Sequence, residues 1–195
     1  MRDLNQINFH PPYVHKLIVD KIPLELGGYR ILDIGCGMGD LGYLLRTRRT
    51  GDFILEGFDR KREYVERIPS CIYNHTWTQD LMINQGIPEN HISLCCEVIE
   101  HISKQAGARL LENLDKKTGL SIITTPMGYM KDKNHLCGWT REEFEALGYT
   151  VESFDRYKLP RSLKLFDRIR RRIMGIGTGK FILCTKNNYE ETGKS

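Results

Sequence analysis

The chain of 195 residues is 40% hydrophobic and 28% charged, the balance of one globular domain over 1–195 with a single sizeable core. No run approaches the ~18 apolar residues of a membrane span, and Met1-Arg2-Asp3-Leu4-Asn5 lacks a signal peptide's basic-then-apolar layout, so a cytoplasmic location is expected. Six cysteines at 36, 71, 95, 96, 137 and 184 contain no CxxC, which argues against a zinc cluster or disulfide framework and for buried thiols.

Strand and helix signals alternate, which predicts an α/β domain. An amphipathic helix over Tyr13 to Glu25 precedes a short apolar strand from Tyr29 to Ile34. A helix from Asp40 to Arg48, a strand from Phe53 to Phe58 and a helix from Glu63 to Ile68, stopped by Pro69, come next. Apolar runs at Ile92 to Cys96 and Leu120 to Thr125 flank a helix from Lys104 to Asp115. Because these runs alternate poorly, they read as strands covered by helices on both faces.

Thr140-Arg141-Glu142-Glu143 fits a capping box, with Trp139 and Phe144 spaced as a hydrophobic staple and Gly148 as the stop. Two late strands, Val151 to Tyr157 and Lys180 to Thr185, flank a basic segment, and 187–195 reads as a frayed tail. Within that segment, 161–172 holds six basic residues against one acid, leaving −1 of the +4 net charge for the rest of the chain. Leu163, Phe166, Ile169 and Ile173 follow helical spacing, so 161–174 forms an amphipathic basic helix inserted before the last strand. It packs on the sheet edge, or it meets anionic lipid, a sugar-phosphate or RNA.

The chemistry begins at Asp33-Ile34-Gly35-Cys36-Gly37-Met38-Gly39, where three glycines between a strand and a helix let a ligand lie against bare backbone. Gly37-Met38-Gly39-Asp40-Leu41-Gly42 also satisfies the GxGxxG dinucleotide fingerprint. Both readings call for an acid about 20 residues on to grip ribose hydroxyls, which Asp59 supplies. Register separates them: a dinucleotide fold brings its strand to Gly37, whereas this strand ends at Gly35 with Asp33 two residues earlier.

The D-x-G-x-G-x-G pattern resembles the first motif of class I S-adenosylmethionine-dependent methyltransferases. Asp59-Arg60 falls where that family places its ribose-binding acid, and Asp80-Leu81 where an acid contacts the adenine amino group. Cys96-Glu97-Val98-Ile99-Glu100-His101 resembles the family's fourth-strand segment, above all in ubiquinone-biosynthesis O-methyltransferases, and Thr125-Pro126 is similar too. Each aspartate alone fits a solvated loop acid, but their joint order does not. The resemblance implies a Rossmann-like, mostly parallel seven-stranded sheet in the order 3-2-1-4-5-7-6 with helices on both faces. It also implies S-adenosylmethionine bound by Asp33, Gly35, Cys36, Gly37, Gly39, Asp59, Arg60, Asp80, Leu81, Cys96 and Glu97.

On the acceptor side stand Glu97, Glu100, His101 and the distant His135. If Glu97 opens a helical turn, Glu100 and His101 share its face, and two carboxylates with two imidazoles form a ligand set for a divalent metal. E-x-x-E-H followed by His135-Leu136-Cys137-Gly138-Trp139 resembles the metal-dependent 2′-O-methyltransferases of small-RNA 3′ ends, in which such residues hold the metal. Without a metal, His101 and His135 serve as pocket or general-base residues, or as structural histidines. Three functions follow: a methyltransferase acting on a hydroxyl of a small biosynthetic acceptor, a metal-dependent RNA 3′-terminal 2′-O-methyltransferase, and a non-catalytic cofactor-binding partner subunit.

Overall fold

A computed structural model describes residues 12–128, 134–155 and 180–189. The elements in chain order are α1 (Pro12–Val19), β1 (Arg30–Ile34), α2 (Asp40–Arg48), β2 (Ile54–Asp59), α3 (Arg62–Val65), β3 (His75–Thr78) and β4 (Asn90–Cys96). A 3-10 turn (Ile99–His101) follows, then α4 (Lys104–Lys117), β5 (Thr118–Pro126), α5 (Arg141–Ala146), β6 (Thr150–Asp155) and β7 (Lys180–Asn187).

All seven strands join one sheet in the order β3-β2-β1-β4-β5-β7-β6, as expected. The sheet is mixed rather than mostly parallel: β3, β2, β1, β4 and β5 pair in parallel, while β7 runs antiparallel to both β5 and β6. The departure is confined to β7, which enters between β5 and β6 in the reverse direction, so both antiparallel pairs flank this one strand.

Successive strand residues feed two cores, one on each face. Ile31, Leu55, Ile92, Leu94, Ile122 and Leu183 pack with Val14 and Ile18 of α1 and Leu41 and Leu45 of α2. Leu32, Ile34, Cys95, Ile123, Ile182 and Cys184 pack with Leu110 and Leu114 of α4 and Phe144 of α5. Strands buried on both faces cannot alternate polar and apolar residues, which explains their near-continuous apolar runs.

Three expectations are corrected. The first helix ends at Val19 rather than Glu25, four residues before Pro23, where the proline ring would clash with the Val19 carbonyl of a continuing helix. The tail is not frayed where it is described: β7 runs to Asn187, and buried Asn188 donates its side-chain amide to the Leu114 and Thr118 carbonyls at the end of α4. Of the cysteines, 36, 95 and 184 are buried, 96 and 137 half-buried, and Cys71 exposed. The late strand expected over Val151 to Tyr157 is β6, which begins at Thr150; residues 156 and 157 lie outside the described residues. The basic helix expected over 161–174 lies outside the described residues, as does 190–195. Among the described residues no helix is long and apolar enough to cross a membrane.

Candidate active site

A cleft of about 1080 Å³ opens over the carboxyl ends of β1, β2, β3 and β4, the side on which open α/β sheets receive ligands. Asp33, Gly35, Cys36, Gly37, Asp59, Arg60, Asp80, Leu81, Cys96, Glu97 and His101 all line it. Gly39, Glu100 and His135 are not among its lining residues.

The glycine loop leaves β1 by donating the Gly35 and Cys36 N–H groups to the Phe58 carbonyl at 2.8 and 2.9 Å. Gly35, Gly37 and Gly39 have φ of 71°, 54° and 91°, conformations that glycine adopts without strain. Their reasons for being glycine differ. A Cβ on Gly35 would stand 2.3 Å from Val98 Cγ2, so that position admits the segment after β4. A Cβ on Gly37 would meet nothing within 4 Å, so this glycine leaves room on the cleft side rather than for the protein's own packing. Gly39 caps α2 without a side-chain bond.

Asp59 ends β2 and braces the loop: its Oδ2 accepts the Gly37 N–H at 3.1 Å and its Oδ1 accepts the Lys61 N–H at 2.8 Å. Asp80 begins the next turn in the same manner, accepting the Met82 N–H at 2.8 Å. A carboxylate has about four lone-pair sites, so both aspartates retain acceptor capacity beside these turn bonds. Asp33 is buried, and its Oδ2 accepts the Tyr73 hydroxyl at 2.6 Å, a partner that no local motif signals. Burial, with Asp33 and Asp59 nearby, pushes the Cys36 thiol up, and burial with Asp33 does the same to Cys96. Both sulfurs therefore stay protonated and poorly nucleophilic on the cleft wall.

The acceptor end depends on long-range contacts. The Leu136 and Cys137 N–H groups donate to the Glu100 carbonyl at 2.8 and 3.3 Å, which brings the His135 loop onto the 3-10 turn. Trp139 secures this junction, with its indole N–H directed to the Ile99 carbonyl at 3.4 Å and its ring 5.4 Å from Phe144. The predicted capping box is present in full, since Thr140 Oγ1 accepts the Glu143 N–H and Glu143 accepts the Thr140 N–H. His101 and His135 meet edge to face with ring centroids 4.8 Å apart. His101 Nδ1 lies 3.0 Å from the Asn134 carbonyl, which can only accept, so Nδ1 is the donor and in the neutral ring the lone pair sits on Nε2.

Glu100, His101 and His135 place one ligand atom each within 4.8 Å of one another. Glu97 is not in that group, contrary to the expectation that it opens the helical turn. Its backbone is left-handed at φ 54°, outside the right-handed region a helical turn requires, and the 3-10 turn spans Ile99–His101. Glu100 is buried and its Oε2 accepts the Thr125 hydroxyl at 3.0 Å.

No family model and no curated protein matches the sequence. Solved structures do match. TehB from Haemophilus influenzae superposes with a TM-score of 0.65 at 12% identity, over 92% of this chain and 64% of that one. A SAM-dependent methyltransferase from Archaeoglobus fulgidus gives 0.56 at 18%, over 89% and 93%. The chain has the class I S-adenosylmethionine-dependent methyltransferase fold. A third structure with this methyltransferase fold, a Haloferax volcanii putative methyltransferase in complex with the Trm112 activator, gives 0.63 at 16%, over 89% and 88%. This chain spans less than two thirds of the Haemophilus protein's length.

Proposed function

We propose that the protein is an S-adenosylmethionine-dependent methyltransferase that acts on a hydroxyl of a small biosynthetic acceptor. The observation that carries this reading is the order of groups along the cleft: Asp33, the open backbone at Gly37, Asp59 and Asp80 follow one another at the ends of β1, β2 and β3. The donor set fits the cofactor. Asp33 would receive the ammonium group, Asp59 the ribose hydroxyls and Asp80 the adenine amine, while Gly35 to Gly39 give the methionine portion bare backbone. Arg60, Leu81, Cys96 and Glu97 would complete the walls.

When bound, the sulfonium supplies an activated methyl group. The chain's own task is to align the acceptor and remove its proton. His101 is suited to the second part: it lines the cleft, and the Asn134 carbonyl fixes the tautomer that leaves Nε2 free of hydrogen. The protonated Cys36 and Cys96 thiols would not compete for the methyl group.

Calorimetric titration with S-adenosylhomocysteine beside NAD tests the reading. Micromolar binding of the homocysteine compound is expected; binding of NAD instead would restore the Gly37 register and sink the proposal. Binding without turnover on any acceptor would favour a partner subunit.

The Glu100, His101 and His135 grouping favours a second reading, a metal-dependent RNA 3′-terminal 2′-O-methyltransferase. One carboxylate and two imidazoles suit Mn2+ or Fe2+ better than Mg2+. Mn2+ uptake that Glu100→Ala abolishes, together with methylation of RNA 3′ ends, would put this reading first. Contact of 161–172 with RNA, a sugar-phosphate or anionic lipid belongs among the proposals as well.

A further inference from the structure

Tyr73 lies between α3 and β3, outside every motif, yet much of the region under the glycine loop is shaped around it. A Cβ on Gly42 would stand 2.4 Å from its Cζ and 2.5 Å from its hydroxyl oxygen. A Cβ on Gly57 would stand 2.8 Å from its Cε1, and one on Gly39 3.3 Å from its Cε2. These three glycines belong to α2, to β2 and to the loop that joins β1 to α2, so three segments make way for one ring. The ring ends in a hydroxyl 2.6 Å from Asp33 Oδ2, with both residues buried. Burial, reinforced by Asp33, pushes the Tyr73 hydroxyl up, which keeps it a proton donor.

We propose that Tyr73 is a positioning residue: its hydroxyl fixes the Asp33 carboxylate in the orientation that receives the ammonium end of the ligand, and Gly42 and Gly57 are glycines in order to admit its ring. This rests on the cofactor reading given above. A carboxylate swings about its Cβ–Cγ bond, and a buried donor on one oxygen selects one setting of that swing. The same bond explains how a GxGxxG pattern arises without a dinucleotide. Gly42, the last glycine of that pattern, faces a tyrosine ring, and the match to the fingerprint comes from packing around Tyr73.

The test compares two ligands on the whole protein. S-Adenosylhomocysteine carries the ammonium group; 5′-methylthioadenosine keeps the adenosine and the thioether and lacks the amino-acid end. Tyr73→Phe retains the ring and should weaken S-adenosylhomocysteine binding roughly tenfold to a hundredfold, the range for a hydrogen bond to a charged group, with 5′-methylthioadenosine changed less than about twofold. Gly42→Ala, a favourable change for a helix, should push the hydroxyl away and reproduce the same selective loss. Asp33→Asn, which removes the charge that receives the ammonium group, should weaken S-adenosylhomocysteine more than Tyr73→Phe does, and adding Tyr73→Phe to it should cost little more, because Tyr73 acts through Asp33. Equal weakening of both ligands would assign Tyr73 a merely structural role, and unchanged binding of both would remove it from the site; either overturns the inference. If the unaltered protein binds neither ligand, the cofactor reading itself fails.

Discussion

Replacing Asp59 by alanine separates a loop brace from a ligand-binding acid. The carboxylate accepts two backbone N–H groups, from Gly37 at 3.1 Å and from Lys61 at 2.8 Å. Charged hydrogen bonds contribute about 1.5–3 kcal/mol each when nothing replaces them. Asp59 is half-buried, so water reaches both donors and the net loss of stability falls to about 1–2 kcal/mol. That leaves a domain of ordinary stability folded. Cofactor affinity should fall further, by about 2–4 kcal/mol, since the acceptors for two ribose hydroxyls disappear and Gly37 loses its tether. In dissociation constants this is a weakening of about thirtyfold to several hundredfold. Urea denaturation and calorimetric titration with S-adenosylhomocysteine measure the two quantities on one sample. Asp59→Asn, which keeps one acceptor oxygen, should fall between. A variant with the expected stability loss and wild-type affinity would show that Asp59 only braces the loop and that the ribose lies elsewhere.

Glu143→Gln should cost about 1 kcal/mol at neutral pH, a modest figure because the Lys104 and Glu143 side chains are 42% and 40% exposed. Burial alone would raise the Glu143 carboxyl, but Lys104 and Thr140 bring it below the ordinary value; its contribution is complete above about pH 4.3 and fades as the pH falls through the lower folded value. Denaturation curves for the two proteins should therefore converge in acid, and a constant gap would refute this. Gly107→Ala should destabilise the fold despite a gain of about 1 kcal/mol in helix propensity, because its Cβ would stand 2.7 Å from Trp139 Cζ2. A raised melting temperature would contradict that packing. His101→Gln should lower kcat by roughly a hundredfold or more and leave S-adenosylhomocysteine affinity within about twofold; an unchanged kcat would exclude His101 as the base.

Local signals carried well to structure. The Asp40 to Arg48 helix has the predicted bounds, and the capping box at Thr140 reports its own geometry, because caps and helical periodicity are properties of neighbouring residues. The glycine loop is legible for the same reason, whereas the acids at 33, 59 and 80 stand out by their joint order and the family resemblance, and all three line the cleft. What escaped depends on distance in the chain. His75-Thr76-Trp77-Thr78 is an edge strand with half its residues exposed, so it lacks the apolar run that marks β4 or β5. Tyr73 reaches Asp33 across forty residues, and no spacing rule connects them. The left-handed Glu97 is invisible in a segment whose composition suits a helix start, and the ligand grouping holds three of the expected four residues.

The last described strand is also an interior one. β7 fills the slot between β5 and β6, and six of its residues pair with β6. As the chain leaves the ribosome, β6 emerges ahead of the strand that must separate it from β5. Both then present unpaired backbone and apolar side chains until Lys180 to Asn187 arrive. Synthesis thus passes through a stage in which most of the core exists and its sheet stands open along one seam. Nascent chains arrested before Lys180 should bind a hydrophobic dye or a chaperone more strongly than chains that include Asn188.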